Sequence, residues 1–352
     1  MDQFKVSYTP DAKVETILIA VSLGQSSLAL LDMVVDIIRV QKQQHRGRQG
    51  FYLRALVIDE SHVLGPMTRD VATTVDSLKH QYPECEFTCY NFEALVDLFP
   101  PEHVNIDGLG EISESPAKFF DLLPSLPRTS QQDLVGILRR QVILGYAQKH
   151  DLKTVVWGSN MTRLAEVVLS LTAKGRGQDI PLLVDSEVKS TGTIDNIYPI
   201  RDVLMSEIVL YNDLQKISTL VVEPIAKIPV TTKLQSIDEL VHQYFGSIEE
   251  NFPSIVSTVV RTADKLGQKP VDSQTHCRLC GSIVAADSQQ WLKNITVSSL
   301  SEETENANRS TVLPNSVELC YGCLVTFKNS NVTTITWPRA SVHEVLNEYS
   351  LE

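Results

Sequence analysis

The sequence predicts an α/β protein: a parallel sheet flanked by helices, followed by a helical extension and a small C-terminal metal module. Three observations carry this reading. Strand-like and helix-like segments alternate through the first half of the chain, a short junction containing serine and glycine joins the first strand to the first helix, and two Cys-x-x-Cys pairs lie near the C-terminus. At 352 residues with 43% hydrophobic content, the chain has enough apolar surface for one large domain and a small module.

Thr16 to Val21 is an apolar, β-branched run and reads as the first strand. From Leu28 to Val40, Leu31, Val34, Val35 and Ile38 recur at helical spacing, while Asp32, Asp36 and Arg39 suit the wet face. Phe51 to Asp59 reads as the second strand. Val71, Val75 and Leu78 line one face of the next helix, and Glu86 to Tyr90 reads as the third strand, followed by a short helix through Phe99. Pro100 to Pro116 is polar, with prolines, glycines and acidic residues, and is expected to be a surface excursion. Ser130-Gln131-Gln132-Asp133 resembles a capping box before a helix carrying Leu134, Ile137, Leu138 and Val142. Thr154 to Trp157 is the fourth strand, and it ends in Gly158-Ser159-Asn160, a turn of the kind that gathers ligands in open α/β sheets. Helical signals return after Asp202 and between Ser236 and Lys265, with a break at Pro253. The expected division is 1–215 for the α/β domain, 216–270 for the helical extension and 271–352 for a zinc-ribbon-like module with a flexible insertion near 298–315.

The junction Ser22-Leu23-Gly24-Gln25-Ser26-Ser27 resembles a degenerate ATP-pyrophosphatase loop, as in the adenine nucleotide alpha-hydrolase-like fold. Such loops commonly read Ser-Gly-Gly-x-Asp-Ser, because glycines let backbone N–H groups approach phosphates at a helix N-terminus. Here Leu23 stands where a second glycine is expected, and Ser26 replaces the acidic residue that organises nucleotide and magnesium. ATP binding is therefore in doubt. The alternative is an ordinary strand-to-helix turn with Ser26 as the N-cap.

Cys277-Arg278-Leu279-Cys280 and Cys320-Tyr321-Gly322-Cys323 offer four thiolates, enough to close the tetrahedral shell of a structural zinc. Cys85 and Cys89 share a face of the third strand; they are either small buried residues or a pair that handles sulfur. Gly158, Ser159 and Asn160 form either a pocket or a capped helix start. Arg163 and the segment Lys174-Gly175-Arg176-Gly177 offer either RNA or phosphate contacts or a solvated surface at a helix end. The net charge of −12 argues against an independent, strong nucleic-acid binder, so any RNA contact should be local or shared with a partner. No stretch reads as a signal peptide or membrane span, which leads to the expectation of a soluble, cytoplasmic protein.

Together these segments resemble the cytoplasmic tRNA 2-thiolation protein 2 family. The resemblance is most specific in 156–166, Ala173-Lys174-Gly175-Arg176-Gly177, Tyr198-Pro199-Ile200-Arg201-Asp202, 260–265 and 319–324. It implies a subunit that pairs with a catalytic thiolase paralogue as a heterodimer and helps hold tRNA during conversion of the wobble uridine to 2-thiouridine. It also implies that sulfur arrives as a thiocarboxylate on a ubiquitin-related modifier, and it links the family to protein conjugation of that modifier. A rival expectation is an independent adenylating sulfurtransferase using Ser22, Gly24, Ser27 and Asn160. The resemblance further implies an additional cysteine-rich segment ahead of the first strand, where this chain has few residues.

Overall fold

The computed structural model describes residues 4–6, 8, 14–106, 116–184, 194–225, 231–266, 276–282, 284, 319–328, 330 and 332–339. The expected insertion near 298–315 lies outside them. Five parallel strands form the main sheet: β1 (Glu15–Val21), β2 (Phe51–Asp59), β3 (Cys85–Asn91), β6 (Thr154–Trp157) and β7 (Asp195–Ile197), in the spatial order β3-β2-β1-β6-β7. The order reverses between β1 and β6, whose last paired residues are Ala20 and Trp157. The loops leaving these two strands therefore meet at the carboxyl edge of the sheet.

Alternation along β1 sends Ile17 and Ile19 to one face and Leu18 to the other, all fully buried. On the first face, α1 (Gln25–Gln44) and α2 (Val71–Gln81) contribute Leu31, Val35, Val75 and Leu78. On the second, Leu18, Leu56 and Val155 pack against Leu134, Leu138 and Val142 of α3 (Arg128–Lys149). The cysteine segments join this second core, where Cys277, Leu279, Cys320 and Cys323 pack among its residues. Beyond β6, α4 (Met161–Ala173) buries Leu164 and Ala165 against Phe245 of α6 (Ile237–Glu249) and Val256 and Val260 of α7 (Pro253–Ala263). Ser236 and Glu239 form a capping box at the start of α6, and Pro253 occupies the first turn of α7, where its missing N–H is not needed.

Two local expectations change. The polar stretch after Pro100 is partly a core element: β4 (Pro101–Asn105) and β5 (Ala117–Lys118) flank β8 (Thr334–Pro338) in a second sheet, with Val104 buried. Its partner comes from the far end of the chain, so local composition carries no sign of it. The capping box at Ser130 is also absent. The helix starts at Arg128, after Pro127, and Ser130 lies inside it, donating its Oγ–H to the Thr326 carbonyl at 3.0 Å.

Trp337 anchors β8. Its ring meets Phe119 edge-on at 5.4 Å, and its indole N–H donates to Gln141 Oε1 at 2.8 Å. Trp337→Ala is expected to destabilise the whole chain by about 3–5 kcal/mol, measured by urea unfolding. A loss below about 1 kcal/mol would show that the C-terminal strand adds little to the core.

Candidate functional site

At the strand-order reversal, the Ser22–Ser27 junction keeps the backbone of a glycine loop while carrying a leucine. Leu23 has φ +61°, the left-handed region, yet its side chain is 2% exposed within the core. Its carbonyl accepts Val222 N–H at 2.9 Å. Gly24, not Ser26, is the N-cap of α1; Ser26 lies in the first helical turn. The Ser27 hydroxyl donates to Gly24 O at 3.1 Å and lies 3.2 Å from Ser22 Oγ. Gly158 faces this turn so closely that a β-carbon there would lie 2.9 Å from Ser27 Cα, so glycine is required by space.

Asn160 is fully buried and caps α4, its Oδ1 accepting Arg163 N–H at 2.8 Å. Its Nδ2 lies 3.6 Å from the sulfur of Met205, and Ser26 Oγ lies 3.9 Å from the same sulfur. Met205 opens α5 (Met205–Leu214) and thus occupies the place between the two loops. Glu249, at the end of α6, holds it there: one carboxylate oxygen accepts Ser206 N–H at 2.7 Å, the other accepts the Thr162 hydroxyl, and Thr162 Oγ1 accepts Met205 N–H at 3.0 Å. Asn212, fully buried on α5, donates to Gln25 O and Oε1 at 2.9 and 2.8 Å. Met205, Asn212 and Glu249 escaped the sequence reading. A buried asparagine and a carboxylate facing a helix start leave no periodic signal.

Both expected thiol roles at Cys85 and Cys89 can be weighed. Cys85 is buried, which pushes its thiol up to about 12; Cys89 is exposed, but partial burial and then Asp59 also raise it. Neither is poised as a thiolate near neutral pH.

The four predicted metal ligands converge. The Sγ atoms of Cys277, Cys280, Cys320 and Cys323 all lie within 4.8 Å of one another, with Cys280 and Cys320 at 3.4 Å. In the first knuckle Cys277 N–H donates to Ser282 O and Gly281 N–H to Cys277 O; Gly281 takes φ +75° to close the turn. In the second, Cys320 caps α8 (Tyr321–Phe327), its sulfur accepting Cys323 N–H at 3.5 Å. His276, next to the first knuckle, is not in the cluster; its Nδ1 lies 3.1 Å from Gly281 O.

Lys174 and Arg176, expected either as phosphate contacts or as a solvated helix end, are turned inward. Arg176 is 2% exposed and donates to Asp133 Oδ2 from Nε and Nη2 at 2.9 and 2.7 Å, while Lys174 pairs with Asp133 and Asp238. Nearby, burial and then the charge of Cys280 push the Asp179 carboxyl up to about 7. Arg163 keeps an exposed guanidinium and pairs with Glu166, whose other oxygen meets His242 Nδ1 at 2.7 Å.

A sequence profile described as cytoplasmic tRNA 2-thiolation protein 2 matches residues 236–325. A protein of that name from Yarrowia lipolytica is 36% identical, over 95% of this chain and 86% of its own length. The chain belongs to the cytoplasmic tRNA 2-thiolation protein 2 family. A further member, from Debaryomyces hansenii, is 30% identical over 99% of this chain and 87% of its own. Among solved structures, the U34-tRNA thiolase NcsA from Methanococcus maripaludis, determined with its [4Fe-4S] cluster, shares the fold at a TM-score of 0.52 and 16% identity, over 85% of this chain and 84% of that one. Among the described residues, no helix is long and apolar enough to cross a membrane.

The His242–Glu166 pair yields a pH dependence. Its hydrogen bond to Glu166 raises the His242 pKa above the ordinary 6.5. For Glu166, burial acts upward, but His242 and Arg163 outweigh it and hold the carboxyl below its ordinary value. The pair's contribution is therefore full just below pH 6.5 and is lost as pH climbs through the raised histidine pKa. Thermal stability should show a fall between about pH 6 and about pH 8 that His242→Gln removes. An identical slope in the variant would show that the pair is not the source.

Proposed function

We propose that this chain is a non-catalytic subunit of cytoplasmic tRNA wobble-uridine 2-thiolation, paired as a heterodimer with an active thiolase that uses ATP. Family membership and the fold shared with a tRNA thiolase support the pathway. The observation that carries the non-catalytic reading is Met205, whose thioether lies between Ser26 and Asn160 where an ATP-using relative would need polar space for phosphate. Leu23 adds a buried side chain, and Ser26 offers no carboxylate for magnesium.

In this reading the partner activates the uridine and accepts sulfur from the thiocarboxylated modifier. This chain supplies a companion surface and part of the tRNA grip. With a net charge of −12 and Lys174 and Arg176 buried in ion pairs, most phosphate contacts fall to the partner, and Arg163, exposed but paired with Glu166, offers at most a shared one here. The experiment compares tRNA thiolation and pyrophosphate release by each purified protein and by the mixture. The mixture is expected to thiolate, while this chain alone releases no pyrophosphate. Full activity of the partner alone, or brisk turnover by this chain alone, would overturn the proposal.

We further propose that Cys277, Cys280, Cys320 and Cys323 hold one structural zinc ion. A tetrahedral zinc with Zn–S bonds of about 2.3 Å separates its sulfurs by about 3.8 Å, in keeping with the compact cluster here. A cuboidal iron–sulfur cluster spreads its thiolates over separate irons and needs a wider ring. Four thiolates leave no open position for substrate, so the ion would cross-link the two knuckles. Metal analysis should find one zinc per chain, and a strong chelator should lower the melting temperature of the entire protein, because the cysteines share the sheet's core. Cys323→Ser should do the same without chelator. An unchanged melting temperature in both cases would exclude a structural ion.

A further inference from the structure

We propose that Arg176 is a positioning residue of the four-cysteine metal site, donating N–H···S hydrogen bonds that disperse the negative charge of the thiolates, with Asp133 fixing its orientation. The inference rests on the zinc reading above. Nη1 of Arg176 lies 3.6 Å from Cys320 Sγ and 3.5 Å from Cys323 Sγ, and Nη2 lies 3.5 Å from Cys323 Sγ. The same guanidinium donates through Nε and Nη2 to Asp133, and Nη2 also lies 3.3 Å from Thr326 Oγ1. One planar fork thus faces a carboxylate on one side and two metal-binding sulfurs on the other, a geometry lysine cannot reproduce.

The electrostatics require such a partner. A divalent ion with four thiolates carries a net charge of about −2, and burying that charge unaccompanied is expensive. Arg176 brings one positive charge directly to the sulfurs. Lys174, paired with Asp133 at 3.3 Å, supports the same network from its edge.

Shape locks the arrangement. Gly175 takes φ +73° and turns the chain at the end of α4; a β-carbon there would collide with the Tyr321 ring. A β-carbon on Gly322 would collide with the Arg176 side chain. The turn Lys174-Gly175-Arg176 and the knuckle Cys320-Tyr321-Gly322-Cys323 therefore interlock through two glycines. Arg176 has no room to swing out toward an external phosphate.

The test uses the full chain, as wild type and as Arg176→Gln, Arg176→Lys and Asp133→Asn. Zinc affinity is read by chelator competition, and the sulfur-to-metal charge-transfer band is read after replacement of zinc by cobalt(II). Arg176→Gln is expected to weaken zinc binding about 10–100-fold. It should also move the charge-transfer band to lower energy, since thiolates without hydrogen bonds donate more strongly. Arg176→Lys should restore part of both, and Asp133→Asn should cause a smaller change in the same direction. A purely structural arginine would lower the melting temperature without moving the band. Wild type without stoichiometric metal overturns the zinc reading and this inference together; loaded wild type with an unchanged band and affinity in Arg176→Gln overturns this inference alone. Should Arg176→Gln fail to fold, unchanged bands in both Arg176→Lys and Asp133→Asn overturn it equally.

Discussion

The reversal of strand order beside β1 is the constraint from which the site follows. A central strand buried on both faces leaves its carboxyl end as the place where two loops from opposite halves of the sheet must meet. In this chain that meeting point is packed rather than open. Gly158 presses against Ser27, Asn160 caps α4 while reaching toward Met205, and Asn212 ties α5 to Gln25. The first contact fills space, and the hydrogen bonds of Asn160 Oδ1 and Asn212 Nδ2 occupy polar atoms that a ligand would otherwise engage. The crevice is an internal joint between the sheet, α5 and α6, with Glu249 closing it from the far side.

Leu23 shows how that joint tolerates an unfavourable backbone conformation. A leucine in the left-handed region is disfavoured by about 1–2 kcal/mol, a penalty glycine escapes. Burial of the same side chain returns about 1.5–3 kcal/mol. The two terms are of similar size, so the loop can hold a left-handed leucine whose side chain serves core packing. The same logic applies to Ser26, where a hydroxyl near a thioether makes a far weaker contact than a carboxylate makes with a metal ion.

What could be read in the sequence follows the range of the interactions. β1, β2 and α1 were legible because burial imprints its period on neighbouring residues. The four cysteines were legible because each Cys-x-x-Cys pair is a local spacing that offers thiolates of metal-ligand type. β4 was hidden because its partner β8 lies at the opposite end of the chain, so its alternation answers to residues no local window contains. The burial of Arg176 was hidden for a related reason: in a glycine-rich turn, a cation destined for solvent and one destined for buried cysteine sulfurs look alike until Asp133 and the second knuckle are brought beside it. Ser130-Gln131-Gln132-Asp133 has the composition of a cap but begins inside the first turn of α3, because Pro127 already caps the helix and Thr326 and Arg176 claim Ser130 and Asp133.

The charge distribution carries the argument beyond the site. Arginines that a basic RNA-binding face would expose are instead engaged within the chain: Arg39 with Glu84, Arg54 with Glu86, Arg128 with Glu239, Arg139 with Glu60 and Arg176 with Asp133. A phosphate could recruit such a group only by displacing its carboxylate, and for the buried pairs that would leave a charge without a partner. Releasing counterions from tRNA demands cations whose attraction is not already spent. In a chain of net charge −12 organised in this way, the proposed role on tRNA would fall to a surface shared with a partner rather than to a basic face of its own.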